Sequence, residues 1–241
     1  MSTTEKPTVV LVHGAFADAS SYARVIPGLI TRGLDVVAPA VPNRSLIGDA
    51  AYVASIVRQI PGPVVLVGHS YGGAVITVAG VEDNVRALVY LAGYALQKGE
   101  SLGELQGRFP DSDLAAALVQ TPFPIEGSTT PGTDVSVQVD KFPAVFAADV
   151  DPQLASVLAV SQRPLAAQAF TEAAPAAAWE TKPSWGLVSS SDHTINPDVE
   201  RFGYERAGMT TVEVDSSHLV MLAHPEAVVD LIEKAVRATT A

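Results

Sequence analysis

The stretch from Val64 to Ala79 constrains this chain more than any other. Four apolar residues, Val64-Val65-Leu66-Val67, run into Gly68-His69-Ser70-Tyr71-Gly72-Gly73, and the almost wholly apolar segment Ala74 to Ala79 follows. An apolar run without alternation predicts a strand buried on both faces, as parallel strands are. The segment after it predicts a helix lying in the core. Between the two, the chain must reverse from strand to helix within a few residues. A turn that sharp strains the backbone of Ser70 and leaves no room for side chains two residues to either side, which accounts for Gly68 and Gly72. It also lifts the serine oxygen to a helix N-terminus, where the dipole favours developing negative charge. Strand, G-x-S-x-G and helix together make Ser70 the candidate nucleophile.

The same alternation extends over both ends of the chain. Thr8 to Val12, Asp35 to Ala38 and Val85 to Leu91 read as further strands, as do Trp185 to Ser189 and Val212 to Val214. Helical stripes lie between them: Tyr22, Val25, Ile26, Leu29 and Ile30, with Gly33 where a C-cap belongs, and Ala50 to Ile60, stopped by Pro61-Gly62-Pro63. Asn196 reads as an N-cap before Pro197 at the first helical position. Ala227, Val228, Leu231, Ile232, Ala235 and Val236 form the last stripe. Strands alternating with helices predict an α/β fold, a mostly parallel sheet of about six strands with helices on both faces.

From about residue 95 to 178 that rhythm lapses. The stretch is rich in Ala, Pro and Gly, with short helical pieces at Asp113 to Val119 and Pro152 to Val160 and loop chemistry at Pro122-Phe123-Pro124 and Gly127 to Gly132. At 241 residues the chain suits one domain. The expected organisation is a core made of residues 1–94 and 179–241, carrying a mostly helical cap over 95–178. The cap is expected above the C-terminal strand ends, where such sheets bind ligands.

A serine nucleophile needs a base, an acid that orients the base, and donors for an oxyanion. His218, in Asp215-Ser216-Ser217-His218 between the last strand and the last helix, stands where the chain order Ser, Asp, His puts the base. Its rival, His224, abuts Pro225 and reads as a helix-boundary residue. The acid should follow the strand Trp185 to Ser189, and Asp192 sits there, with Asp198 and Asp215 as rivals. His193 reads as a loop residue that could line a pocket. The donors are expected from the Tyr71 backbone N–H and from the loop His13-Gly14-Ala15-Phe16, Ala15 first and Phe16 second. His13 itself is expected to brace that loop.

Composition removes other chemistries. There is no cysteine, so disulfides, thiolate catalysis and cysteine-ligated metals drop out. The net charge of −11 repels phosphate backbones and anionic lipid, so neither nucleic acid nor a membrane is an expected partner. No apolar run approaches the roughly 18 residues of a membrane span. The opening MSTTEKPT lacks a leader's basic-then-apolar layout, so a cytoplasmic location is expected. No metal and no cofactor is expected. The expected partners are a small-molecule ester and, at most, a second copy of the chain in a homodimer.

With these residues in hand, the chain resembles the α/β-hydrolase superfamily along its whole length. VLVHGAF, VVLVGHSYGG and the SSH before HPEAVVDLIEKA carry the resemblance, and HGAFADAS with GHSYGG is similar to small bacterial esterase-like members related to the esterase and hydroxynitrile-lyase branch. The resemblance implies cofactor-free hydrolysis of esters, lactones or other acyl compounds, with Ser70, Asp192 and His218 as the triad. Apolar residues of the cap suggest a small to medium apolar substrate. Cyanohydrin cleavage, peracid formation and ligand reception on the same scaffold are the alternatives. A lyase of that branch would want a pocket lysine; Lys182 lies at the wrong end of its strand, while Lys98 and Lys141 fall in the cap region. Relatives that open epoxides or remove halides carry aspartate at the position of Ser70.

Overall fold

The computed structural model describes residues 6–240. The leader reading above falls largely on residues 1–5, which lie outside them. β1 (Thr8–Val12) is an apolar run whose last four residues are fully buried. The chain continues through α1 (Ile26–Thr31), the short β2 (Val36–Val37) and α2 (Leu46–Val57), whose N-cap Ser45 accepts from the Gly48 N–H. Next come β3 (Val64–His69), α3 (Tyr71–Ala79) and β4 (Val85–Leu91). An excursion then carries α4 (Leu102–Gln106), α5 (Leu114–Ala117), β5 (Leu118–Phe123), β6 (Gly132–Val137), α6 (Phe142–Phe146), α7 (Pro152–Val160) and β7 (Leu165–Ala166). The chain returns with β8 (Ser184–Ser189), α8 (Pro197–Arg206), β9 (Thr210–Val214), α9 (Val220–Ala223) and α10 (Pro225–Thr240).

The main sheet has the order β2-β1-β3-β4-β8-β9, and all its pairings are parallel. α3 packs on β3 and α2, while α10 packs on β4, β8 and α1. β3 and all of β4 but Arg86 are fully buried, which is why they read as largely apolar runs. The strand order reverses direction between β1 and β3, where Val12 pairs with Gly68. Ligands bind outside the strand ends at such a switch point. Among the described residues no helix is long and apolar enough to cross a membrane.

The excursion differs from the mostly helical segment expected. It holds a second sheet, three antiparallel strands in the order β5-β6-β7. The predicted helix Asp113 to Val119 stops at Ala117, and Leu118 begins β5. β5 escapes a sequence reading because it is a largely exposed edge strand with no buried stripe, and because its Pro122 reads as a breaker. A proline is tolerated there because an edge strand need not donate on both sides. β7 is two residues long and pairs with a strand about thirty positions earlier, a non-local contact that no local pattern announces.

Candidate active site

Ser70 links β3 to α3 with φ 56° and ψ −123°. Such a conformation costs a non-glycine residue about 1–3 kcal/mol and persists only when its surroundings over-determine it. Here the Ser70 N–H donates to the Leu91 carbonyl at 3.1 Å, and its own carbonyl accepts from the Gly73 and Tyr94 N–H groups at 2.9 and 3.2 Å. The flanking glycines are required by contact. A Cβ on Gly68 would lie 2.4 Å from the Gly72 oxygen, and one on Gly72 would lie 2.3 Å from the Val12 oxygen. Backbone atoms cannot rotate away, so Gly72→Ala is expected to cost about 3 kcal/mol or more, read as a lowered midpoint in urea unfolding. A midpoint within error of the wild type would contradict this packing.

The His218 ring and the Asp192 carboxyl meet with Nδ1 2.6 Å from Oδ2, both side chains fully buried. A carboxylate only accepts, so Nδ1 carries the hydrogen and Nε2 is the free basic nitrogen. Nε2 is buried and has no hydrogen-bond partner among the described residues. Asp192 is held in turn by the Thr194 and Ile195 N–H groups, which donate to Oδ1 at 2.6 and 3.0 Å. His69 packs against His218 with ring centroids 4.5 Å apart, and its Nε2 donates to the His218 carbonyl at 2.9 Å. Full burial pushes the His69 pKa well below the usual histidine range, so His69 is a neutral brace.

The rival residues are engaged elsewhere. Asp215 accepts from the Ser191 hydroxyl at 2.6 Å, and Asp198 pairs with Arg201 at 2.8 Å on the surface. His224 is half exposed, 3.6 Å from Asp149, and His193 faces solvent 2.8 Å from Asp113.

The loop after β1 packs against the serine turn, so that a Cβ on Gly14 would lie 2.7 Å from the Ser70 Cβ. Within it, the Phe16 N–H is consumed by the Arg163 carbonyl at 3.0 Å. The Ala15 and Tyr71 N–H groups donate to no other group among the described residues. His13 spans the loop: its Nδ1 donates to the Gly14 carbonyl and its Nε2 accepts from the Val41 N–H, each at 2.9 Å. Burial lowers its pKa, which keeps the ring neutral and both bonds intact. The Tyr71 hydroxyl donates to buried Asp49 at 2.7 Å, tying the start of α3 to α2.

Ser70 is 5% exposed. It opens into a narrow cavity of about 10 Å³ walled by Ala15, Leu102, Leu114, Leu165, Phe170 and Ile195, with Tyr94 and Thr194 as polar neighbours. Leu102, Leu114, Leu165 and Phe170 come from the excursion, which therefore lies over the serine. A second tie joins the two parts: Asp149 of the excursion accepts from the Ser216 hydroxyl at 2.8 Å, from the Ser217 N–H at 2.9 Å and from the Ser217 hydroxyl. Partial burial opposes its charge, but the bonds from Ser217 and Ser216 outweigh that and hold its pKa low. Of the cap aromatics, Phe146 packs on the His218 ring at 4.7 Å, whereas Phe123 lies on the outer sheet under Arg44 at 4.8 Å. Among the described residues no group of three His, Cys, Asp or Glu side chains could hold a metal ion.

Sequence reasoning did not single out Asp49, Asp149 or Glu200. Glu200 carried one signal: it shares a face of α8 with Gly203 and Tyr204, an acid on the side of the helix that turns inward.

A sequence profile described as the alpha/beta hydrolase family matches residues 9–231. The chain is 33% identical over 126 residues to a carbendazim-hydrolyzing esterase of Nocardioides sp. (strain SG-4G), covering 46% of this chain and 51% of that protein, about half its length. It is 26% identical to an α/β hydrolase of Aspergillus novofumigatus (strain IBT 16806), covering 95% of this chain and 96% of the other. In structure it is similar to a pyrethroid hydrolase from Sphingobium faniae JZ-2, with TM-score 0.77, 20% identity and coverage of 96% and 98%. Polyneuridine aldehyde esterase gives TM-score 0.81 at 17% identity, with coverage of 95% and 99%. At these identities the solved structures speak for the fold.

Proposed function

The chain belongs to the alpha/beta hydrolase family, and from that premise we propose that it is a carboxylic ester hydrolase working through an acyl-enzyme on Ser70. The observation that carries the reading is the fully buried Asp192–His218 pair, packed against His69, the residue before a strained serine. In this reading His218 Nε2 takes the Ser70 proton as the oxygen attacks the ester carbonyl. Asp192 fixes the tautomer and stabilises the imidazolium. The Ala15 and Tyr71 N–H groups, free of other acceptors, receive the oxyanion. His218 returns the proton to the departing alcohol, and the same steps with water release the acid. The excursion serves as a lid that keeps bulk water from those donors. Relatives named as esterase and pyrethroid hydrolase support ester cleavage. No lysine lines the cavity among the described residues, and Lys182 is spent on the Glu82 and Val85 carbonyls at the far end of β4, which disfavours cyanohydrin cleavage.

The cavity walls favour a short or medium apolar acyl group. Leu114 and Phe170 also line a wider outer cleft with Gly103, Gln106 and Leu118, so they partition the inner space from the outer one. A panel of p-nitrophenyl esters of increasing chain length tests both ideas. Wild type should hydrolyse short chains best, and Phe170→Ala should shift the optimum to longer chains with the short-chain kcat little changed. Failure to turn over any ester, together with no Ser70 labelling by a serine-directed phosphonate, would sink the hydrolase reading. An unshifted optimum in Phe170→Ala would sink the pocket assignment alone.

A further inference from the structure

Behind the Asp192–His218 pair lies a second carboxyl. Glu200, in the first turn of α8, is fully buried. One oxygen, Oε2, accepts from the Ser189 N–H at 3.1 Å, while Oε1 receives no hydrogen bond among the described residues. The same Ser189 accepts from the Asp192 N–H through its carbonyl at 3.2 Å, so both carboxyls adjoin one turn after β8, and the Asp192 charge bears on Glu200. Among the described residues no cation forms an ion pair with it. Its neighbour on the helix, Arg201, points outward to Asp198 and Glu213. The other titratable groups facing it are the phenols Tyr94, from the segment after β4, and Tyr204, on its own helix. The Tyr204 hydroxyl is used in a bond to the Gly93 N–H at 2.9 Å.

Two carboxylates buried side by side with no cation paired to them resist both staying ionised. Asp192 is committed as an acceptor, with two backbone N–H groups on one oxygen and His218 Nδ1 on the other. Glu200 accepts one bond and has an orphaned oxygen. A proton on the Glu200 carboxyl removes the repulsion and gives the orphan a use. We infer that Glu200 is a positioning residue: it is held as the neutral acid, and its O–H donates to the Asp192 carboxylate and holds it against His218.

This inference rests on the ester-hydrolase reading for its consequence in catalysis, but the protonation of Glu200 does not. Burial, then the Asp192 charge, pushes the Glu200 pKa well above its ordinary 4.5. Above that value the unfolded chain releases the proton and the folded protein keeps it. The folded state then binds more protons, and its stability falls as pH rises, until the raised folded value is passed. Glu200→Gln removes that loss. It also preserves both contacts, because an amide oxygen can accept from Ser189 while the amide N–H donates to Asp192.

Melting curves of wild type and Glu200→Gln, from about pH 4.5 to about pH 8, read this without any substrate. The variant's advantage should widen as pH rises; a difference independent of pH would overturn the neutral acid. Ester kinetics read the rest. Glu200→Gln should keep kcat within a few-fold. Glu200→Leu, which cannot donate, should lose roughly 10- to 100-fold in kcat at unchanged KM, the scale of one hydrogen bond to a buried charge. Its acidic limb in the pH profile of kcat/KM should also move to higher pH, since less of the Asp192 charge is drawn away from His218. A Glu200→Leu enzyme with wild-type kcat and limb would overturn the positioning role. If Glu200→Leu does not fold, loss of kcat in Glu200→Gln would overturn it instead. A wild type inactive on every ester would refute the hydrolase reading, while the melting curves would still decide the state of Glu200.

Discussion

Ser70→Ala is expected to lower ester turnover by at least roughly 10³-fold, because the covalent route disappears and only binding and the oxyanion donors remain. The fold should survive. Serine and alanine both carry a Cβ, so the strained φ of 56° and its three backbone hydrogen bonds are equally satisfied by either. The variant should melt within a few degrees of wild type and escape labelling by a phosphonate that modifies wild type. Near-normal turnover in a homogeneous Ser70→Ala preparation would remove the nucleophile from the mechanism.

The second large effect is expected at the acid. Asp192→Asn should reduce kcat by something on the order of 10⁴. The structure supplies the reason. The Thr194 and Ile195 N–H groups both donate to Oδ1, so the amide oxygen of an asparagine must face them and its NH₂ must face His218. Nδ1 would then have to accept, which places the ring hydrogen on Nε2 and leaves no free nitrogen to take the serine proton. Asp215→Asn should cost far less, because Asp215 is engaged by the Ser191 hydroxyl at the surface and not by His218. Steady-state kinetics of the two variants on one ester compare them directly, and the reverse ranking would assign the acid to Asp215.

The legible parts of this protein were those whose cause is local. β1, β3 and, apart from Arg86, β4 are largely β-branched and apolar runs because both faces are covered, so the burial that makes them strands is written into their residues. The turn at Ser70 was legible because two backbone-to-backbone approaches admit nothing larger than glycine. Asn196 and Pro197 marked the start of α8 through the chemistry of a helix end. The outer sheet was not legible, since the exposed β5 depends on β6 for its pairing and carries no stripe of its own.

The candidate site divides in the same way. Sequence position alone determined that a serine, an aspartate and a histidine each follow a strand of one parallel sheet, because connection rules place all those strand ends on one side. Only the tertiary structure decided which aspartate meets which histidine. Asp192 and Asp215 both follow strands, and they differ in where two backbone N–H groups and a ring nitrogen happen to converge. It also decided that Phe16 spends its N–H on Arg163 while Ala15 does not, and that Glu200 lies behind Asp192 rather than in solvent. These are contacts between residues far apart or on different elements. They depend on hydrogen-bond directions and on distances of a few tenths of an ångström, which residue identity and spacing do not encode.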